Sequence, residues 1–451
     1  MESRPPVTPE SARSRRFRQR RVVVPAVLSV LVACIVGWSG GAARADGHAA
    51  RTGTSTAPDT GRPHDGVISV AGRGWGHGRG MSQYGAYAAA TSGRGYAEIL
   101  GFYYPGTRLV TTSISAELRV LLVQGPGELR VRPEAGLTLW WTRENGTIRP
   151  GTLPTALAGC RVSTWRVRPV EGRDMTVDGY SCGAWHTYVP AGWLAATGRA
   201  SFVAPDDNVQ VERRLSDGTR VRRGYRGFVR VVLRAGQLQP VNVVSYEAYL
   251  RSVVPSESPA GWPDAALRAQ AVAARTYAVR SAQGRESSYF DVYNTSASQV
   301  YRGMLSYGPS WEVTRRNEDP RSTTAVAETK GEMLEYEGRP ALTEFGSSNG
   351  GRTAGGGVPY LRAVGDPWDL LSGTTTLSWT DTVSASRLES LYPQIGRLSA
   401  LRVTERSGGG EWGGRVDAVE LVGSEGVQVV RGQDSVRSAL GIRSAWFGFT
   451  G

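Results

Sequence analysis

The sequence predicts an α+β fold that is rich in β-strand, in which one long helix packs on antiparallel sheet. Its 58 glycines and 24 prolines favour frequent turns. Short runs of alternating hydrophobicity, among them ELRVLLV, FVRVVLR and VNVVS, recur between about 113 and 245, as they do in antiparallel strands. Helical patterns occupy a few segments, of which 263–283 is the longest and 83–91, 96–103 and 434–440 are shorter.

The segment 263–283 carries the signals that begin and end a helix. Pro263 suits the first helical position, and Gly284 suits a residue just past the end. Small side chains form a narrow stripe that predicts the packing face: Leu267, Ala271, Ala274 and Ala278. Arg275 projects from the same side. We expect it to meet an anionic partner, because burying an unpaired guanidinium is prohibitive.

The first 45 residues have the pattern of an export signal peptide. A basic stretch, 13–21, precedes an apolar run, 22–38, and Ala43-Arg44-Ala45 fits the cleavage site. Lipidation at Cys34 is an alternative, which the apolar residues after that cysteine argue against. We therefore expect a secreted, extracytoplasmic protein that meets a membrane only through this segment, if the segment stays uncleaved or is lipidated.

The chain that follows the signal remains basic. Removing residues 1–45 lowers the net charge from +13 to about +7, and the polar stretch 46–64 has the composition of a disordered linker. A basic chain suits an anionic partner such as a wall polymer, a membrane surface or nucleic acid. A scattered Arg-rich surface explains the charge equally well. No Lys/Arg block remains in the mature region, so we expect no nucleic-acid partner.

Cysteine usage agrees with export. Cleavage of the signal removes Cys34 and leaves Cys160 and Cys182, and an even pair in an exported chain is most simply a disulfide. Such a bond closes a loop of about 22 residues and stabilises the fold by about 3 kcal/mol through loop entropy. Two free buried thiols are the alternative.

Glu257 is the candidate catalytic carboxylate. It lies between Pro255 and Pro259, which predicts a rigid turn at the N-terminal end of the long helix. A carboxylate fixed in that way can serve as a general acid and base. The alternative is a capping acid that interacts with the helix dipole.

Several long blocks resemble the stage II sporulation protein D (SpoIID/LytB) family. They are GRGWGHGRGMSQYGAYAAA, VNVVSYEAYL, VVPSESPAGWPDAALRAQAVAARTYA, FDVYNTSASQVYRG, TKGEMLEYEGRPALTEFGSSNGGRT and VPYLRAVGDPWD. The resemblance covers most of 65–112 and 225–451, and it is poor over 113–224. It implies a discontinuous domain: a GHG-MSQ segment (65–112), a β-rich inserted region (113–224) and a SpoIID-like catalytic domain (225–451).

The order of the blocks departs from the commoner family arrangement, in which the GHG-MSQ block ends the chain. Here that block opens the mature protein, and LGIRSAWFGFTG (440–451) ends it. This order is similar to a circular permutation. It implies that the two ends meet in space and pair as neighbouring strands, since permutation is tolerated where termini are close.

The resemblance implies a lytic transglycosylase that cuts peptidoglycan glycan strands between N-acetylmuramic acid and N-acetylglucosamine. Glu257 matches the catalytic glutamate and Arg275 matches a family arginine that holds the glutamate or a substrate group. A structural ion pair is the alternative for Arg275. Part of the family is named for amidase enhancement, so a non-catalytic wall-binding protein or amidase enhancer, with a wall amidase as partner, stays open.

Two further blocks match the family and supply candidate substrate-binding residues. These are His77, Ser82 and Gln83 in the GHG-MSQ block, and Ser298, Gln299 and Tyr301 in the SQVY block. Loop architecture is the alternative role for all six. We expect no cofactor and no metal, because the block 290–301 lacks the Cys and His that some family members carry there.

Overall fold

The computed structural model describes most of the chain after the predicted export signal. The described residues are 59–450 without 124, 126, 143–147, 171–174, 189–198 and 286–287. The predicted signal peptide and most of the predicted linker therefore lie outside them. No helix in this part of the chain combines the length and the apolar character that crossing a membrane requires.

Eight α-helices form within the described ranges. They are α1 (Gln83–Thr91), α2 (Tyr96–Tyr103), α3 (Tyr246–Glu257), α4 (Asp264–Ala282), α5 (Pro320–Glu328), α6 (Pro367–Leu371), α7 (Ala385–Leu391) and α8 (Gln433–Leu440). Two short 3₁₀ turns follow at Pro393–Ile395 and Glu411–Gly413. The four helices predicted from sequence are confirmed as α1, α2, α4 and α8.

Strands dominate the rest of the described chain. In its first half they are β1 (Thr60–Gly61), β2 (Val67–Arg73), β3 (Met81–Ser82), β4 (Arg108–Thr111), β5 (Glu117–Leu121), β6 (Leu129–Val131), β7 (Thr138–Thr142), β8 (Ile148–Thr152), β9 (Ala156–Leu157), β10 (Cys160–Arg161), β11 (Thr164–Pro169), β12 (Met175–Ser181), β13 (Ala184–Tyr188), β14 (Arg199–Val203), β15 (Val209–Arg214) and β16 (Arg220–Tyr225). In its second half they are β17 (Phe228–Arg234), β18 (Gln237–Ser245), β19 (Val292–Tyr293), β20 (Leu305–Tyr307), β21 (Val313–Arg316), β22 (Glu332–Tyr336), β23 (Arg339–Pro340), β24 (Phe345–Gly346), β25 (Ser378–Ser384), β26 (Leu398–Arg406), β27 (Val416–Gly423), β28 (Val427–Arg431) and β29 (Phe447–Phe449). The predicted strand-rich α+β class is confirmed.

Two large sheets share one hydrophobic core. The eight-stranded sheet has the order β13-β12-β11-β6-β15-β16-β20-β21, and the seven-stranded sheet has the order β19-β5-β18-β17-β14-β7-β8. All their pairings are antiparallel except β19 with β5. Alternate side chains along each strand point inward, and they meet in a core that includes Trp141, Trp165 and Val231.

The region 113–224 contributes to both of these sheets. In the eight-stranded sheet its strand β16 pairs with β20, which pairs with β21. In the seven-stranded sheet its strands β14 and β5 pair with β17 and β18. The strands of the predicted insertion therefore share their sheets with strands of the predicted catalytic domain. The division into domains stays a prediction.

A second core lies in the C-terminal part and includes the start of the described chain. The sheets β25-β2-β29 and β1-β26-β27-β28 enclose it, and α7 and α8 contribute to it. Strand β2 pairs with β29, with Val70 opposite Phe449. The predicted pairing of the two ends is thereby confirmed. The circular permutation, which concerns the order of blocks in relatives, stays a prediction.

Helix α4 is buried between two groups of side chains. The predicted stripe of Leu267, Ala271, Ala274 and Ala278 packs into the core of the large sheets. On the other side Ala269, Val272 and Ala273 pack against α1 and α2. Because these side chains are small, the large-sheet core on one side and α1 and α2 on the other pack closely against α4.

The predicted disulfide is present between Cys160 and Cys182. It joins β10 to the turn that connects β12 and β13, at an edge of the eight-stranded sheet.

Candidate active site

Glu257 is the last residue of α3, and the predicted turn location is wrong. Pro255 lies inside the final turn of this helix. A proline there removes one backbone N–H donor but leaves the preceding turns intact, so the helix continues to Glu257. Ser258 then adopts an extended backbone and ends the helix, with its N–H bonded to the carbonyl oxygen of Val254 at 2.9 Å.

The carboxyl group of Glu257 is held by neutral donors. The backbone N–H of Val300 donates to Oε1 at 2.7 Å, and Nε2 of Gln83 lies 3.5 Å from Oε2. Burial raises the pKa of Glu257, while the Val300 and Gln83 contacts and the positive charge of Arg302 lower it without offsetting burial. A carboxyl group in this environment retains its proton more readily than an exposed one.

The residues on either side of Val300 anchor the loop that carries it. Oε1 of Gln299 accepts from the Tyr249 hydroxyl at 3.0 Å, and Nε2 of Gln299 donates to the carbonyl oxygen of Ala274 at 3.2 Å. The Tyr301 hydroxyl donates to Oδ1 of Asn242 at 2.6 Å. Gln299 and Tyr301 are buried, at 1% and 3% exposed. They lie behind the site, and the geometry does not support their expected contact with substrate.

Ser298 lies at the edge of the same loop and is half-buried. Its Oγ accepts the backbone N–H of Tyr293 at 3.1 Å and also hydrogen-bonds the side chain of Tyr277. Tyr277 projects from α4, and its pKa is raised by burial. Sequence reasoning missed Tyr277; it is a polar aromatic residue in an otherwise alanine-rich helix, which was the available signal.

Ser82 and Gln83, which begin α1, have different roles. Oγ of Ser82 accepts the N–H of Gly85 at 3.0 Å as the N-cap, and it donates to Oδ1 of Asp369 at 2.6 Å. Ser82 is 2% exposed, so it positions the helix and does not face the site. Gln83 is the residue of this pair that contacts Glu257.

Gln270 supports Gln83 from α4, and sequence reasoning missed it. Its Oε1 accepts from Nε2 of Gln83 at 3.4 Å and from Oγ of Ser258 at 3.3 Å. Gln270 is 1% exposed, and its Nε2 has no hydrogen-bond partner within the described ranges. A buried amide on an alanine-rich face was the sequence signal, because such a group needs partners.

His77 is a neutral histidine held by its own loop. Its Nδ1 accepts the backbone N–H of Arg79 at 3.0 Å, which leaves Nε2 to carry the proton. Burial, followed by the charge of Arg79, lowers the pKa of His77 to about 4. Arg79 itself forms a two-pronged ion pair with Glu344, at 2.8 and 2.9 Å. No hydrogen bond joins His77 to Glu257 among the described residues.

Arg275 pairs with Glu247 at the start of α3, and the expectation that it holds Glu257 is not met. Its Nε and Nη2 lie 2.9 and 2.7 Å from the two carboxylate oxygens of Glu247. Further guanidinium contacts reach the carbonyl oxygens of Val326 and Glu332. Arg275 is 0% exposed, so in this conformation it braces α3 against α4 and α5 and touches no substrate.

An aromatic cluster joins the segments that carry Gln83 and Glu257. Trp262, on the segment after Glu257, packs against Tyr84 and Tyr87 of α1, with ring centroids 5.3 and 5.2 Å apart. All three rings are half-buried. They offer flat apolar surface beside the site, on residues that sequence reasoning did not single out.

Comparisons with known proteins bear on the same segments. A family model described as Stage II sporulation protein matches residues 234–336, which hold α3, α4 and the loop that carries Val300. This segment of the chain is similar to the SpoIID family. Stage II sporulation protein D of Bacillus subtilis (strain 168) is 29% identical to the chain over 221 residues, which are 46% of this chain and 61% of that protein.

Two further relatives show the same pattern of partial coverage. Stage II sporulation protein D of Bacillus amyloliquefaciens is 30% identical over 219 residues, or 46% of this chain and 60% of the relative. The amidase enhancer of Bacillus subtilis (strain 168) is 36% identical over 147 residues, or 31% of this chain and 18% of the relative. This chain therefore spans less than two thirds of each of these proteins.

The SpoIID family match leaves part of the candidate site outside its bounds. Glu257, Gln270 and Val300 lie within residues 234–336, whereas His77 and Gln83 precede them. The structure nevertheless brings Gln83 to Glu257. Over the described ranges, no three His, Cys, Asp or Glu side chains come together in a way that would hold a metal ion.

Proposed function

We propose that this protein is a secreted peptidoglycan lytic transglycosylase that cleaves between N-acetylmuramic acid and N-acetylglucosamine. The observation that carries the proposal is a carboxyl group with a raised pKa, Glu257, whose hydrogen-bond donors are all neutral. None of the groups that shift its pKa is a second carboxylate. The match of residues 234–336 to the SpoIID family supports a role at the cell wall.

In the first step Glu257 acts as the acid. Val300 occupies Oε1, which leaves Oε2 to carry the proton. Oε2 donates this proton to the glycosidic oxygen as the bond from that oxygen to C1 of the muramic sugar breaks. The raised pKa favours the step because the acid must be protonated at the working pH.

In the second step the resulting carboxylate acts as the base. It accepts the proton of the C6 hydroxyl of the same muramic sugar while that oxygen bonds to C1, which gives a 1,6-anhydro end. No water enters, and Glu257 regains its proton for the next cycle. Because the nucleophile belongs to the substrate, one carboxyl group suffices, whereas ordinary glycosidases use two.

The remaining residues of the site position this carboxyl group. Gln83 contacts Oε2 of Glu257 and is itself hydrogen-bonded to Gln270. Gln299 fixes the loop whose Val300 N–H binds Oε1. The ion pair of Arg275 with Glu247 sets the angle between α3 and α4. The aromatic cluster gives the sugar rings an apolar surface to pack on.

A second candidate function is that of a non-catalytic wall-binding protein or amidase enhancer. The observation that favours it is the similarity to the amidase enhancer of Bacillus subtilis over 147 residues. A wall amidase would then be the partner. In that case Glu257 would not be needed for the protein's effect.

The test is incubation of the mature protein with purified glycan strands, both intact and stripped of peptides, followed by mass spectrometry of the products. We expect anhydro-muramic ends that disappear with Glu257→Gln and persist with Glu337→Gln, an exposed glutamate used as a matched control. Reducing ends would mean that water attacks, and that a second carboxylate exists. No cleavage by the wild type, together with stimulation of an amidase that survives Glu257→Gln, would replace the proposal with the second candidate.

A further inference from the structure

Three arginine side chains on or beside strands β16, β20 and β21 lack any hydrogen-bond or ion-pair partner within the described ranges. The guanidinium groups of Arg223, Arg302 and Arg315 make no ion pair and no hydrogen bond there, and Nε of Arg302 is buried without an acceptor. Arg223 and Arg302 are half-buried, whereas Arg315 is exposed. A partly buried cation without a counter-charge is costly, so its presence calls for an anionic ligand.

The sheet register gathers these arginines on one face. Arg223 of β16 lies opposite Ser306 of β20, and Ser306 lies opposite Arg315 of β21. Side chains directly opposite each other in a sheet point to the same side. Arg302 precedes β20, so the three side chains belong to one short stretch at this edge of the eight-stranded sheet.

The same stretch leads directly to the candidate active site. The backbone N–H of Arg302 donates to Oγ of Ser252 on α3 at 3.2 Å, and Val300, two residues earlier, donates to Glu257. Arg302 also lies close enough to Glu257 for each to shift the pKa of the other. Arg302 therefore borders the carboxyl group, and Arg223 and Arg315 lie close to Arg302.

The opposite face of the same strands provides an internal comparison. Arg222, the neighbour of Arg223, points the other way and pairs with Glu212 at 2.5 Å. On the face with Arg223 the neighbouring charges are instead Arg213, Arg302 and Arg315, all of which lower the pKa of Arg223 in addition to burial. The acidic residues that balance one face are missing from the other within the described part of the chain.

We propose that Arg223, Arg302 and Arg315 form a cationic shelf that binds carboxylate groups of the glycan strand beside the bond that Glu257 cleaves. This inference rests on the proposed function and names what the substrate must carry. Guanidinium groups bind carboxylates through charge-assisted hydrogen bonds, often in pairs. The carboxylate comes from the lactyl group of muramic acid when the stem peptide is absent, or from the stem peptide itself.

The test measures binding and not cleavage, in the full mature chain carrying Glu257→Gln. Three glycan preparations are titrated: intact strands, strands stripped of peptides, and stripped strands whose carboxylates have been converted to amides. We expect the amide form to bind most weakly. Added to that background, Arg223→Gln, Arg302→Gln or Arg315→Gln weakens binding of the carboxylate form by about tenfold each.

Arg316→Gln is the matched control. Arg316 is exposed, carries the same charge and follows Arg315 in β21, but it pairs with Leu305 and so points to the other face. We expect Arg316→Gln to leave the affinity for the carboxylate form of the glycan unchanged. Equal binding of amide and carboxylate forms, or equal losses with Arg315→Gln and Arg316→Gln, would overturn the shelf.

The outcomes separate the shelf from the proposed function. Arginine-dependent binding without any anhydro product from the wild type would leave the shelf standing and remove the transglycosylase. Normal cleavage with arginine-independent binding would remove the shelf alone. A preference for stripped over intact strands assigns the carboxylate to the lactyl group, and the reverse preference assigns it to the stem peptide.

Discussion

The backbone N–H of Val300 lies 2.7 Å from Oε1 of Glu257, and the residues on both sides of Val300 are buried and anchored. The loop is thus fixed where it meets the carboxyl group. A single backbone donor favours the ionised form, which the carboxyl group must adopt in the second step of the proposed reaction. This contact gives the site its most direct test.

Replacing Val300 with proline removes that donor. We expect the pKa of Glu257 to rise further, so the loss of activity at alkaline pH moves to higher pH. The rate of glycan cleavage should fall by at least about tenfold, as expected when an acid/base group is poorly positioned. The pH dependence of the rate of product formation, measured by mass spectrometry, checks this. Val300→Ala keeps the N–H and should behave as wild type, and an unchanged profile for Val300→Pro would contradict the role of this contact.

The fully buried Arg275 forms an ion pair with Glu247, whose side chain is 25% exposed, and loss of this pair should destabilise the fold. Arg275→Gln leaves Glu247 without its cation, so we expect the free energy of unfolding to fall by about 3–5 kcal/mol in urea titrations. The exposed pair of Arg321 with Asp264 serves as the control, and Arg321→Gln should cost no more than about 1 kcal/mol. Similar losses for the two variants would mean that Arg275 does not brace the helices.

Glu257 should reduce stability at neutral pH. Its folded pKa is raised above the unfolded value of about 4.3, so the folded state binds more protons in the window between the two values, and stability falls as pH rises through it. Glu257→Gln removes this penalty. We expect a higher melting temperature than wild type at pH 8, with the difference vanishing below about pH 4. A variant less stable than wild type at pH 8 would be inconsistent with the raised pKa.

His77 should resist protonation, so its effect on folding stability should have the opposite pH dependence to that of Glu257. Its folded pKa of about 4 lies below the usual 6.5, so stability is complete above pH 6.5 and is lost as pH falls toward 4. The loss approaches about 3 kcal/mol at low pH, since each pKa unit corresponds to about 1.4 kcal/mol. NMR titration of the His77 ring and acid unfolding of His77→Gln, which lacks the transition, check this. Titration of His77 near pH 6.5 would refute it.

Local features were predictable because they depend on residues close in sequence. The helix 264–282 was predicted almost to its ends, since a proline, a glycine and an alanine-rich stripe specify it without reference to the rest of the chain. The disulfide was predictable because removal of Cys34 with the predicted signal leaves two cysteines, which allow only one pairing. Glu257 was predicted in a turn but ends α3, because one proline near a helix end does not stop the helix.

The roles within the site depended on contacts between distant segments. The family resemblance implied that Arg275 holds Glu257 or a substrate group, and only the packing of α3 on α4 pairs it with Glu247. Ser82, Gln299 and Tyr301 were expected to contact substrate, yet their hydrogen bonds run inward to Asp369, Tyr249 and Asn242. A polar residue type does not show whether its side chain points to the substrate or into the core, because this depends on which residues the fold places next to it.

The sequence by itself determined the strand-rich class, the long helix and the disulfide, since each depends on periodicity, composition or a single residue type. Only the tertiary structure decided that Gln83 and Val300, which are far apart in the chain, meet at Glu257. Only the tertiary structure likewise decided that Arg223 and Arg315 share one face of the sheet, because strand register sets which side chains lie opposite each other.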